Sequence, residues 1–461
     1  MGSREAMADK AAKPEDDLSE DEIDVTPTRT LFVEMLTRDI LLNRAIIDLV
    51  DNSVDGAKRL RPERDSDLKG LEIQIHLDRN KFSISDNCGG IGIDIARHYA
   101  FRFGRAKGMA ATPGSVGQFG VGMKRALFKF GHGFEVVSTT ATDHFELRVN
   151  VDEWEQEEGP WRFAFDKAED GLKNSIGKTG TSITSSPLRS DASAQFGSSI
   201  FQNSLAREIQ SAQQQYIDRN LRIVVNGKTL IATAWKLAEG AGIEPLYIED
   251  FVDLPEGGRV NRRIYAGVAD SSPEAAGWYV FCNGRMILEA DQSRTTGWER
   301  GADEQGVSIP KFHGQFARFR GYVFLDSEDP SLLPWNTTKT GVDADTDVWR
   351  NTYSLLRTSM RPVIDFLNKL DTENDQPEGT PKPFQAALRT APLRAVRSVV
   401  RKGPFSIPQP PPAPRGPPWT SIQFSKPKPK VDALRKALDA RSNSHLGEIL
   451  FDDAYEENVG D

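Results

Sequence analysis

Apolar and polar positions along the chain follow several distinct periods. Folded chain is expected to begin near TRTLFVEML, because residues 1–25 are acidic and hold too few large apolar groups to order themselves. The stretch AIIDLVDNSVDGAK, residues 45–58, reads as an amphipathic helix that seats Asp48, Asp51, Asn52 and Asp55 on one side. LEIQIHL alternates Leu71, Ile73, Ile75 and Leu77, DRNK turns, and FSISDN alternates again, which predicts a hairpin with one buried face. IDIARHYAFRF returns to helical spacing. A glycine-rich passage from Gly104 to Gly122 then leads into MKRALFKFG, a helix ended by Gly131. FEVVSTT, HFELRVNV, WRFAF and TGTSITSS are strand-like. Helices on one side of a mainly antiparallel sheet predict a two-layer α+β domain over residues 26–190.

A second unit is expected over residues 191–371. It holds a helix around SLAREIQSAQQQYI, strands at LRIVV, RRIYAGVA, GWYVFCN and RGYVFLD, and a long helix through VWRNTYSLLRTSMRPVIDFLNKL. After Leu370 the composition shifts, and residues 372–430, with GPFSIPQPPPAPRGPPW at their centre, read as a basic proline-rich linker. A short helix and an acidic tail are expected over residues 431–461. The length of 461 residues exceeds what one core normally serves, in keeping with several domains.

Two cysteines, Cys88 and Cys282, exclude a disulfide framework and a C-x-x-C zinc site. No apolar run is long enough to span a bilayer, and the N-terminus lacks the apolar core of a signal peptide, so a cytoplasmic protein without a membrane partner is expected. The net charge of -9 argues against a uniformly DNA-coating surface. Residues 381–431 nevertheless carry Lys382, Arg389, Arg394, Arg397, Arg401, Lys402, Arg415, Lys426, Lys428 and Lys430 and no acid.

Chemistry concentrates in four places. Asp48 and Asn52 are four apart and so share a helix face. SDNCGGIG puts Asp86 at a strand end before a glycine cluster where backbone can approach a flat ligand. GSVGQFGVGMK spaces Gly117, Gly120 and Gly122 as G-x-x-G-x-G before a helix, an arrangement that offers backbone N–H groups to phosphates. GKTGTSIT sets Thr181 on a strand after a glycine turn.

Together and in this order these motifs resemble those of the GHKL ATPases, the superfamily of DNA gyrase, the ninety-kilodalton heat-shock chaperones, histidine kinases and MutL. The family's E-x-x-x-N falls on Asp48 and Asn52, its D-x-G-x-G on Asp86 and Gly90, its G-x-x-G-x-G on Gly117, Gly120 and Gly122, and its Gly-Thr on Gly180 and Thr181. GQFGVG is especially chaperone-like, while GQFGVGMK before a helix also looks like the MORC ATPases, the branch that the chain as a whole resembles best. The resemblance implies a Bergerat-type ATPase domain followed by an α/β transducer-like domain, with ATP and Mg²⁺ as ligands. It implies Asp48 as general base, Asn52 as magnesium ligand and Asp86 as the adenine contact. Gly90, Phe119, Val121, Lys124 and Thr181 would join the three loop glycines around the nucleotide. Lys339, in LPWNTTKTGVDADTDVW ahead of the last long helix, is the candidate for the cation on the terminal phosphate, with Lys311 and Lys228 as competitors. Asp51 and Asp55 are solvated, capping or site groups, and Asn283-Gly284-Arg285 is a transducer-type strand or an ordinary hairpin turn.

Two departures stand out. Asp48 is one methylene shorter than the family's Glu, so hydrolysis is expected to be slow or absent. Cys88 replaces the first glycine of D-x-G-x-G and requires a negative φ. The resemblance implies a nucleotide-gated homodimer or clamp acting on DNA through 381–431, or with a protein partner bound by the C-terminal tail, in a MORC-like setting such as genome defence. A nucleotide-sensing scaffold or chaperone-like protein with little hydrolysis is the alternative.

Overall fold

A computed structural model describes residues 27–63, 66–102, 114–116, 122–299, 309–336, 338–377, 380–408, 422 and 424–460. The chain divides into two compact units, Met1–Gln409 and Pro410–Asp461.

The first unit opens with helices α1 (Arg29–Arg38) and α2 (Leu42–Leu60). Ala45, Ile46, Leu49, Val50, Val54 and Ala57 recur at helical spacing on α2 and are buried, so that face is the floor of the core. Strands β1 (Glu72–Leu77) and β2 (Phe82–Asp86) form the expected hairpin, in register from Ile73 opposite Asp86 to Leu77 opposite Phe82. IDIARHYAFRF is not one α-helix: a turn at Ile93–Ile95 widens into a π-helix at Ala96–Ala100. At its end the Lys124 amino group donates to the carbonyls of Ala100 and Arg102 at 3.0 and 2.7 Å.

Helix α3 (Gly122–Phe130) leads to β3 (Gly133–Thr139), β4 (His144–Asn150), α4 (Val151–Gln156), β5 (Lys167–Glu169) and β6 (Gly180–Ser185). WRFAF forms no strand. Its alternation reflects ring packing instead: Trp161 lies 5.8 Å from Trp154, Phe163 5.9 Å from Phe134 and Phe165 5.2 Å from Phe145. Helices α5 (Ser190–Phe196) and α6 (Ser199–Ala212) follow, then β7 (Arg222–Val225) and β8 (Lys228–Thr229).

The eight strands run in the order β5-β4-β3-β6-β2-β1-β7-β8. β7 pairs with β1 in parallel, and every other pair is antiparallel. The expected boundary at 190/191 therefore falls inside the first layer pair. Leu205, Ile209, Ile223 and Val225 share one core with Leu49, Phe82 and Phe130. A parallel partner arrives through a long crossover, so its place in the sheet leaves no local trace in sequence.

A second sheet comprises β10 (Leu246–Asp253), β11 (Arg259–Val268), β12 (Gly277–Cys282), β13 (Arg285–Asp291) and β14 (Phe319–Asp326), in the order β10-β11-β14-β12-β13; β9 (Lys236–Ala238) lies apart from it. Both of its faces are covered. Trp278, Val280, Val323 and Ile264 pack with the long helix α7 (Asp347–Asn374) through Leu356, Met360 and Val363. The opposite face is an aromatic layer in which Tyr247 stacks on Tyr265 at 4.3 Å and Phe281 on Phe324 at 4.7 Å.

Val396 and Val399 complete that aromatic layer. The part of the expected linker up to residue 408 is folded within the first unit: it holds helix α8 (Pro383–Thr390) and strand β15 (Leu393–Ala395), with β15 paired to β9. Three of its cations are engaged with acids, Arg394 with Glu239 at 3.5 Å, Arg397 with Asp218 at 3.0 Å and Lys402 with Glu249 at 2.7 Å. Large apolar groups at every third position, Leu393, Val396 and Val399, were the available signal.

The second unit holds helices α9 (Lys428–Ala437) and α10 (Asn443–Asn458), so the expected acidic tail is itself helical. No helix among the described residues is long and apolar enough to cross a membrane.

Gly321 of β14 lies directly under the Trp278 ring, where a Cβ would sit 2.2 Å from the indole. Gly321→Ala should cost about 3 kcal/mol by overpacking, whereas Gly314→Ala, with no atom within 4 Å, should stay within about 0.5 kcal/mol. Chemical denaturation of the two variants measures both.

Candidate functional site

The polar residues of α2 divide into two pairs. Asp48 and Asn52 form one ridge. Asn52 is exposed and makes no hydrogen bond to the described residues, which leaves its amide oxygen available to a ligand. Asp48 is partly exposed, and burial pushes its carboxyl above the ordinary aspartate value while Lys339 opposes that rise. Gly122 at the start of α3 faces it closely enough that a Cβ would lie 3.0 Å from Asp48 Oδ2.

Asp86 ends β2 beside this helix. Its Oδ2 accepts from Ser53 Oγ at 2.6 Å, and its Oδ1 accepts from the backbone N–H groups of Cys88 at 2.8 Å and Thr181 at 3.4 Å. Burial raises its carboxyl, and these three donors partly offset the rise. Thr181 Oγ1 lies 3.0 Å from Ser138 Oγ, which also receives the Ile91 N–H at 2.7 Å. One network thus joins β2, β3, β6 and the start of the glycine cluster. Gly90 has φ +74° and packs so tightly on Thr139 that a Cβ would sit 2.2 Å from its carbonyl oxygen. Cys88 is buried and absent from the residues of positive φ, as its place before Gly89 requires.

The second pair, Asp51 and Asp55, turns toward the second sheet. Asp51 is fully buried and has three partners: Lys339 Nζ at 2.7 Å on Oδ2, and Gln213 Nε2 at 2.6 Å and Arg285 Nε at 3.2 Å on Oδ1. Burial alone would raise its carboxyl; Lys339 and Arg285 outweigh burial and hold it below the ordinary value. Lys339 Nζ also lies 3.3 Å from Asp48 Oδ1, so the two carboxylates share one ammonium. Burial would depress that ammonium, but Asp51 and Asp48 keep it above the ordinary lysine value. The competitors Lys311 and Lys228 are exposed.

Asp55 Oδ1 accepts the Val116 N–H at 2.8 Å. Lys58 donates to the Gly114 carbonyl, and Gly114 N–H donates to the Glu328 carbonyl at 2.8 Å. Asn283 completes the cluster by donating to the Ser115 carbonyl at 3.2 Å while its Oδ1 accepts from Ser327 N at 2.9 Å. Residues 114–116 are therefore fixed to α2 and to the second sheet, with Val116 buried in the core of the second. Asn283-Gly284 is the two-residue hairpin turn between β12 and β13, with φ of 47° and 85°. Its neighbour Arg285 is the buried cation on Asp51.

Gly117, Phe119, Gly120 and Val121 lie outside the described residues. Lys124 is buried, its amino group is directed at the carbonyls of Ala100 and Arg102, and burial lowers it to about 8. Sequence reasoning missed Ser53 and Gln213, and it named Arg285 as part of a strand or turn without its tie to Asp51. Ser53, one residue past Asn52, carried a positional hint; Gln213 carried none, because its relation to Asp51 exists only after folding.

Because Asp51 titrates below its unfolded value, the stability it supplies is complete above pH about 3.9 and is lost as pH falls through its folded value. Asp51→Asn should cost about 3 kcal/mol at neutral pH. The gap to the wild type should narrow below pH about 4, as measured by unfolding free energies across pH.

Among the described residues no cluster of three or more His, Cys, Asp or Glu could hold a metal by itself. No curated protein matches the chain significantly. Residues 40–190 match the family described as Histidine kinase-, DNA gyrase B-, and HSP90-like ATPase. The matched span begins just ahead of α2 and ends after β6, and so takes in Asp48, Asn52, Asp86 and Thr181. The similarity to that family of GHKL-type ATPases covers residues 40–190 and supports an ATPase-type domain there.

Proposed function

We propose that this chain binds Mg²⁺-ATP at the face formed by α2, the end of β2 and the start of β6, and hydrolyses it. The observation that carries the reading is the environment of Asp86, a buried carboxylate held by Ser53, Cys88 and Thr181 beside glycine backbone. Oδ1 already accepts from two N–H groups, and Oδ2, bonded only by Ser53, keeps a lone pair for an adenine amino group. The residues also fit a magnesium ion: the unpartnered Asn52 oxygen would hold it together with phosphate oxygens, and the ion would supply positive charge to the phosphates.

In hydrolysis Asp48 takes a proton from the water whose oxygen attacks the terminal phosphorus, while the bond to the bridging oxygen breaks. Lys339 offers its charge to the departing electron density and to the terminal phosphoryl oxygens. Asp48 must be free of Lys339 to act as base, and the 3.3 Å contact between them favours a second reading, a nucleotide-sensing scaffold or chaperone-like protein with little turnover.

Calorimetry should detect Mg²⁺-ATP binding to the wild type, and Asp86→Ala should weaken it by at least about tenfold through loss of a charge-assisted hydrogen bond. Asp48→Asn should keep binding and lose about 10²-fold or more in kcat. Because burial raises Asp48, the acid limb of kcat/KM should lie above pH about 3.9. Equal rates for wild type and Asp48→Asn select the scaffold reading.

The nucleotide-gated clamp rests on the resemblance and on exposed Leu31 and Met35, four apart on α1 and so available on one face. Light scattering should show a monomer with ADP and a dimer with a non-hydrolysable ATP analogue. The MORC-like DNA reading draws on Lys382, Arg389, Arg401, Lys426, Lys428 and Lys430, which have no carboxylate partner among the described residues. If Lys426, Lys428 and Lys430 touch phosphates, deleting 410–461 should make the log–log salt dependence of duplex binding shallower by about 2 to 3 units. An unchanged slope would remove this tail from the DNA reading and leave it as a site for a protein partner.

A further inference from the structure

Lys339 does not reach the site by its own loop alone. Its backbone has φ +52°, unusual for a side-chain-bearing residue, and the loop is closed by Lys339 N–H to the Asn336 carbonyl and by Asn336 N–H to the Gly341 carbonyl, both at 3.0 Å. The side chain projects inward until its ammonium is almost fully buried, where an unpaired charge is untenable. Two carboxylates meet it there and differ in position. Asp48, with 21% of its side chain exposed, borders the candidate nucleotide site; Asp51, at 1%, lies behind it.

Asp51 has a second arrangement open to it without Lys339. Its other oxygen is held by Arg285 at 3.2 Å and Gln213 at 2.6 Å, so it stays paired if the lysine moves toward a phosphate. We propose that Asp51 is the positioning residue for Lys339: it holds the ammonium beside Asp48 at the border of the nucleotide site, and Arg285 balances Asp51 so that the lysine can transfer to a terminal phosphate. This rests on the reading of α2 and β2 as an ATP site with Lys339 as the terminal-phosphate cation. Four elements supply the cluster, namely α2, the segment after α6, β13 and the loop before α7, so a change in what Lys339 touches is felt directly by the hairpin β12–β13.

The consequence is a selective one. Asp51 acts through a cation that only a triphosphate contacts, so it governs preference for triphosphate over diphosphate and leaves diphosphate affinity alone. Calorimetry with a non-hydrolysable ATP analogue and with ADP, on full-length wild type, Asp51→Asn, Lys339→Met and the double variant, tests this. Asp51→Asn should lower the analogue-to-ADP preference by about tenfold at unchanged ADP affinity, and should change neither in the Lys339→Met background. Equal weakening of both nucleotides in both backgrounds, or an intact preference in Asp51→Asn, overturns the proposal. Arg285→Gln carries the same test should Asp51→Asn not fold, since Lys339 then becomes the sole cation on Asp51. The preference should again fall, and an unchanged preference overturns the proposal. A wild type that binds neither nucleotide overturns the ATP reading itself, an outcome distinct from a wild type that binds both while Asp51→Asn keeps its preference.

Discussion

A lysine ammonium withdrawn from water must be surrounded by negative charge, and meeting that demand at Lys339 fixes how the first unit is assembled. The two carboxylates come from α2, the balancing Arg285 from β13 and Gln213 from the end of α6. Two acids and two bases leave the cluster neutral. Buried ion pairs of this kind contribute little net stability compared with an apolar packing, because desolvation offsets most of the attraction. What they contribute is geometry: any other relative placement of the two sheets would leave a buried charge alone.

The polar face of α2 is therefore two faces with separate tasks. Asp48 lies against Gly122 and Asn52 is exposed, while Asp51, Asp55 and Lys58 bind the second sheet and residues 114–116. A ligand meeting the first ridge acts on a helix whose second ridge is clamped to Asn283 and Arg285. Behind that clamp the second sheet is covered on both sides, with α7 against one face and the stacked aromatic layer, joined by Val396 and Val399, on the other. Arg394, Arg397 and Lys402 serve that packing and are not free charges.

Much of the first layer pair could be read from the chain because its signals are local. Alternation at Ile73, Ile75 and Leu77 and the apolar spacing of α2 each predict an element that exists. Failures came where the deciding contact was remote. β7 joins β1 in parallel across some 150 residues, as in the pairing of Glu72 with Arg222, which no window of sequence reveals. WRFAF alternates to pack rings, not to pair backbone. At the site, motif spacing pointed to Asp48, Asn52, Asp86 and Thr181, whereas the ties of Gln213 and Arg285 to Asp51 could be recognised only once burial set them together.

The most direct measurement is a crystal structure with magnesium and a non-hydrolysable ATP analogue. An ATP site at α2 and β2 predicts the adenine amino group on Asp86, the metal on Asn52, and Lys339 Nζ moved from Asp51 to the terminal phosphate. A nucleotide bound away from Asp86, or Lys339 still shared between Asp48 and Asp51 with the analogue in place, would contradict it.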